Sequence, residues 1–134
     1  FFQAEDGIRD YKVTGVQTCA LPILASYHDF IVNSRGEFTV AKDQNIRLRS
    51  GWFSDRSACY LAAGRPVITQ DTAFGSYLPT GKGLFSFQTR EDILAALEEI
   101  STDYRGNCEA AREIAAEYFA AEKVLASLMS RAGL

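Results

Sequence analysis

The chain has 134 residues, 47% hydrophobic and 23% charged, with 14 basic and 17 acidic side chains and a formal charge of −3. This is the balance of an ordinary globular domain; it excludes wholesale disorder, and the acidic sum excludes a nucleic-acid binder that works through a basic surface. No apolar run reaches the roughly 18 residues of an integral membrane segment, and the widely spaced Cys19, Cys59 and Cys108 form no CxxC pair, which speaks against a disulfide framework or a zinc site and for a reducing, cytoplasmic setting.

Residues Phe1 to Ile23 (FFQAEDGIRDYKVTGVQTCALPI) sustain neither a helical nor a strand period. Their charged patch (Glu5, Asp6, Arg9, Asp10, Lys12) precedes short apolar scraps, the wrong order for a signal peptide. The segment resembles the translation of sequencing-adapter read-through known from metagenomic assemblies. It is therefore set aside as a non-native leader, with a natural leader as the alternative. The domain is expected over 24–134, with a net charge of −2.

Leu24 to Val32 (LASYHDFIV) predicts a short helix with Leu24, Tyr27 and Ile31 on one face. Ser34-Arg35-Gly36 is a turn, Glu37 to Ala41 alternates as a strand does, and the polar stretch Lys42 to Arg49 reads as loop. In RSGWFSDRSACYLAAGRPVITQD, Ser54 or Asp55 suits an N-cap, Ser57 to Ala63 a close-packing helix, Gly64 the residue after it, and Pro66 a breaker. Val67-Ile68-Thr69 has the β-branched character of a buried parallel strand, whose neighbours are expected upstream. Asp71 to Gly83 carries Gly75, Pro79, Gly81 and Gly83 and is a loop long enough to point to function. Leu84 to Phe87 predicts a strand. Thr89 then caps a helix through Ile100, with Ile93, Leu94, Leu97 and Ile100 inward. Tyr104 to Phe119 and Ala121 to Met129 are helical, one kinked element or two, with Ile114, Phe119, Val124, Leu125 and Leu128 inward. The alternation of helix and strand makes the class α/β with a parallel sheet.

In open α/β sheets ligands bind beyond the carboxyl ends of the strands, beside helix N-termini. The candidate loops are Ser50 to Arg56 and Asp71 to Gly83. Gly51 lets backbone approach a ligand, the N–H groups near Ser54 to Ser57 favour an anion, and the Arg56 fork suits phosphate, together fitting a nucleotide diphosphate. The plainer alternative has Ser54 capping, Asp55 serving the helix dipole and Arg56 solvated; on either reading the removal of Arg56 costs little stability. Trp52 either stacks on a base or anchors the loop. Cys59, with no His beside it, reads as a small buried helix residue, and His28 as a surface or core histidine. No GxGxxG follows a strand, against a dinucleotide enzyme.

The run from Arg56 to Val67 resembles the Arg-x-x-Glu-Ala-x-Ala-x-Gly-x-Pro segment of GT-B glycosyltransferases. SRGEFTVAK followed by SGWFSDRSACYLAAGRPVITQDT resembles bacterial glycosyltransferases of the group-1, spore-maturation-like type. The tail EDILAALEEI…AREIAAEYFAAEKVLASLM fits the same family, so the likeness spans Ser26 to Leu134. It implies the C-terminal part of a Rossmann-like domain that binds a nucleotide-diphosphate sugar as co-substrate, with no cofactor or metal. A separate N-terminal domain would supply most of the site for an unassigned acceptor, and this chain alone would be inactive. The resemblance further implies diphosphate stabilisation by Arg56 and helix N–H groups, donor-sugar contact at Asp71 and Thr72, and a nucleotide-site border at Glu37 and Lys42. Gly51-Trp52 is also similar to the Gly-Trp of plant-type signatures. One departure stands out: the family's ribose-binding Glu falls at Cys59, a weak partner for a diol, so that Asp55 or Ser57 takes its role or ribose is held differently. The alternative function is a non-catalytic Rossmann-like nucleotide-binding or interaction domain.

Overall fold

The computed structural model describes residues 24–133. The expectations for Phe1 to Ile23, Cys19 among them, fall outside that range. The chain divides into two compact units at Asn33 and Ser34. The described part of the first is helix α1 (24–33). There Asn33 Nδ2 donates to the Asp29 carbonyl at 2.8 Å, and exposed His28 lies 3.3 Å from the Asp29 carboxylate. Of its three expected inward residues only Ile31 is buried, while Leu24 and Tyr27 are exposed.

The second unit is built on a parallel sheet of β1 (Glu37–Thr39), β2 (Val67–Gln70) and β3 (Leu84–Phe87), in that order, with Phe38, Ile68 and Phe85 in register. Both neighbours of β2 thus lie within the chain, correcting the expectation that they lie upstream. Helices α2 (Asp43–Arg47) and α3 (Asp55–Ala62) lie between β1 and β2, and a loop with a 3-10 turn at Phe74–Ser76 between β2 and β3. α2 forms where the polar sequence predicts a loop, because it has no apolar stripe to mark it. It buries no residue, and Asp43 and Arg47 sit in its first and last turns, 3.5 Å apart as an ion pair.

Strand alternation sends Val67, Thr69 and Leu84 to one face, against α3 and α5 (Tyr104–Tyr118), where Leu61, Val67, Leu84 and Ala111 are wholly buried. Ile68, Phe85 and Phe87 take the other face, under α4 (Arg90–Thr102), and exposed Phe38 stacks on Phe87 beside them. The stripe of α4 that meets the sheet is Ile93, Ala96 and Ile100, while Leu94 and Leu97 stay exposed. Both stripes satisfy helical spacing, and small Ala96 lets α4 approach closely. Thr89 caps α4 as expected, through a reciprocal box with Asp92.

α3 ends in a Schellman motif: Arg65 N–H donates to the Tyr60 carbonyl and Gly64 N–H to that of Leu61, both at 2.9 Å, with Gly64 left-handed at φ 68°. β3 is seated by Asn107 of α5. Its wholly buried amide accepts from Gly83 N–H and donates to the Asp103 carbonyl, each at 2.8 Å. A Cβ at Gly83 (φ 74°) would stand 2.5 Å from the backbone N of Ala111, so only glycine fits this approach. α5 ends at Tyr118, and α6 (Ala121–Arg131) is a separate helix that buries nothing. Ile114 is buried as expected, but Val124, Leu125 and Leu128 are exposed. Periodicity revealed an apolar stripe on α6 without showing whether anything covers it.

Candidate functional site at the carboxyl edge of the sheet

The loop before α3 is strapped to the loop after β2. Gly51 N–H donates to the Thr72 carbonyl at 2.7 Å, Thr72 Oγ1 donates to the Trp52 carbonyl at 2.6 Å, and the Tyr77 hydroxyl donates to the Gly51 carbonyl. Burial raises the Tyr77 pKa above its ordinary value, which keeps this hydroxyl a donor. Gly51 is left-handed at φ 72°, and a Cβ there would press on the Tyr77 ring at 3.2 Å. Underneath, Phe53 lies 5.5 Å from Phe74 and stacks on Phe119 at 5.6 Å, ring centre to ring centre. Trp52 is exposed, and its backbone carbonyl anchors the strap.

Two non-glycine residues at this edge also have positive φ, Arg49 at 46° and Ala73 at 75°. Conformations of this kind cost energy and gather at ligand sites. Ala73 is held by its N–H donating to Asp71 Oδ1 at 2.7 Å, while Asp71 Oδ2 accepts from Gln88 Nε2 at 2.7 Å.

Ser54 takes the N-cap position of α3 with extended backbone, but its side chain makes no capping hydrogen bond. Asp55 Oδ1 accepts from Arg56 N–H at 2.9 Å. The Ser54 side chain thus leaves the positive dipole end open to an anion, while Asp55 already takes the Arg56 N–H.

Arg56 reaches back to β1. Its Nε lies 2.5 Å from Glu37 Oε1, and its Nη2 donates to Thr39 Oγ1 at 2.9 Å. The Glu37 side chain is only 5% exposed, against 49% for Arg56. Arg56 is therefore neither merely solvated nor dispensable to stability, because its loss would strand a buried carboxylate. Glu37 is correspondingly no exposed charge.

The remaining candidates separate by burial. Ser57 and Thr72 are fully buried, so Thr72 acts through its ties to the strap, and Asp55 remains the exposed alternative to the ribose-binding Glu. Lys42 is exposed at the N-cap of α2. Cys59 is exposed, contrary to expectation, and Cys108 is the buried thiol, because the buried stripe of α3 runs through Ser57, Tyr60 and Leu61. Tyr77, Arg49 and Gln88 belong to the same edge and carry no signal in the sequence. Positive φ at Arg or Ala leaves no compositional mark, and Tyr77 sits amid turn-formers without any period.

Among the described residues, no three His, Cys, Asp or Glu side chains gather as a metal site, and no helix is long and apolar enough to cross a membrane. Comparison with protein-family models, with curated proteins and with solved structures finds no match.

Proposed function

We propose that this chain is the donor-binding part of a GT-B glycosyltransferase that holds a nucleotide-diphosphate sugar at the carboxyl edge of the sheet. The observation that carries the reading is the N-terminus of α3, without a side-chain cap and set beside left-handed Gly51, at the edge of a parallel sheet where α/β proteins bind ligands. The resemblance of Arg56 to Val67 to the family's segment supports the same assignment. In the complete enzyme an acceptor oxygen would attack the anomeric carbon as the bond to the diphosphate breaks. The first-turn N–H groups and the helix dipole would stabilise the charge left on the diphosphate. Gly51, Ser54 and Asp55 line this site, Arg56 braces its wall through Glu37 and Thr39, and Asp71 and Thr72 hold the facing loop.

A second reading, an interaction domain, draws on the exposed Val124, Leu125 and Leu128 of α6. The two differ in a direct measurement. Trp52 is the only tryptophan of the chain and adjoins Gly51. Titration with UDP and with GDP should change its fluorescence saturably, with Kd at or below about 1 mM. A flat response to both nucleotides, with calorimetry also silent, contradicts the donor-site reading and leaves the interaction domain.

A further inference from the structure

We infer that β1 is the interface of a homodimer: its open edge pairs with β1 of a second copy in antiparallel register, joining two three-stranded sheets into one. The hydrogen-bonding directions follow from one contact. Glu37 N–H donates to the Pro66 carbonyl at 2.9 Å, so Glu37 and Thr39 turn their backbone groups toward β2. Phe38 and Val40 therefore turn theirs to the side of β1 away from β2. The backbone stays extended beyond the strand, with Ala41 N–H donating to Gln70 Oε1 at 3.3 Å and Lys42 at φ −64° and ψ 142°. The opposite edge of the sheet is treated differently. There the chain folds back on β3, and Gly81 N–H donates to the Leu84 carbonyl at 2.8 Å.

Side chains mark the same edge. Phe38 and Val40 are 56% and 62% exposed. β1 carries neither Lys nor Pro, the usual protections of a free edge, and its one charge, Glu37, is taken by Arg56. The second stripe of α4 is bare beside it: half-exposed Leu97 lines, with Phe38 and Ile100, a cavity of about 320 Å³ against β1. A strand laid on this edge supplies both backbone partners and apolar cover.

Register identifies that strand as a second copy. With Thr39 opposite the partner's Thr39 on a two-fold axis, Phe38 faces the partner's Val40, and symmetry repeats the pair. Each pair exchanges two backbone hydrogen bonds. The same register sets exposed Arg35 opposite the partner's Asp43, also exposed and also repeated. Centring the axis on Phe38 would instead put Gly36 opposite Val40 and lose both charge pairs. Apolar pairing and charge complementarity thus agree on one arrangement.

This inference does not depend on the donor-site reading. Sedimentation equilibrium of the full chain tests it, from about 5 to 500 µM. The mass should rise from 14.8 kDa toward twice that value and stop there, because an isologous contact closes on itself. Val40→Lys should stay monomeric throughout, with the melting temperature of the dilute parent chain. Arg35→Glu should raise the dimer Kd about fivefold, and Asp43→Arg added to it should restore the parent value, which a general loss of fold would not do. A monomer at every concentration overturns the inference, as does growth beyond the dimer. A dimer indifferent to Val40→Lys also overturns it and moves the contact to another face, such as the α6 stripe. Should Val40→Lys fail to fold, the charge reversal decides alone, and absence of weakening or of rescue overturns the inference.

Discussion

Glu37 and Arg56 show how one side chain serves both fold and site. Glu37 Oε2 is buried and has no hydrogen-bond partner, so the charge of this carboxylate is balanced chiefly by Arg56. Breaking a buried pair from one side typically costs about 3–5 kcal/mol, and the half-exposed guanidinium places this pair toward the lower end. Arg56→Gln should therefore lower the free energy of unfolding by about 3 kcal/mol in urea denaturation. Glu37→Gln added to it should recover a large part, since the stranded charge is gone. Additive losses in that double-mutant cycle would show that the pair does not interact. The sequence made Arg56 visible as a fork at a helix start. It concealed the partner, because the contact spans two elements and Glu37 looks like any polar strand residue. Cys59 is exposed where a buried residue is expected: Ser57 and Cys59 are both small helix residues, and which one faces the sheet depends on packing rather than composition.

At the scale of elements, local signals were reliable where the chemistry is local. The Thr89 cap, the Gly64 stop and the β-branched run of β2 all emerged from sequence because each is decided within a few residues, while the reciprocal bond from Asp92 is a finding of the structure. Asp92 accepts from Gln88 N–H and Thr89 N–H, both at 2.9 Å, and these bonds hold its carboxyl below the usual carboxylate range. A carboxylate depressed in the folded state contributes stability above its unfolded pKa, near 4, and loses it as pH falls through the lower folded value. The urea midpoint should accordingly drop as pH is lowered below about 4, and Asp92→Asn should reduce that dependence. An identical pH profile in the variant would assign the acid sensitivity to other groups. What sequence could not show was non-local: α2 has no buried face to announce it, and the exposed stripe of α6 has the same period as a buried one.

At the scale of the whole molecule, the alternation of helix and strand gave the α/β class and the parallel sheet. Strand order was harder, because three short strands with one helical crossover and one loop crossover satisfy several arrangements. The central place of β2 depends on which edges pair, and that is set by packing on both faces rather than by the strand's own residues. The loops that build the candidate site were legible as turn-formers after strands. Their strap of Gly51, Thr72 and Tyr77 was not, since it joins residues far apart in sequence through backbone carbonyls. The central claim is that a nucleoside diphosphate sits at this strap and on the first turn of α3. Amide chemical shifts of the isotope-labelled chain, followed while UDP is added, test it most directly. The largest changes should fall at Gly51 to Arg56 and at Asp71 to Ala73. Changes confined to α6, or none anywhere at saturating UDP, would contradict it.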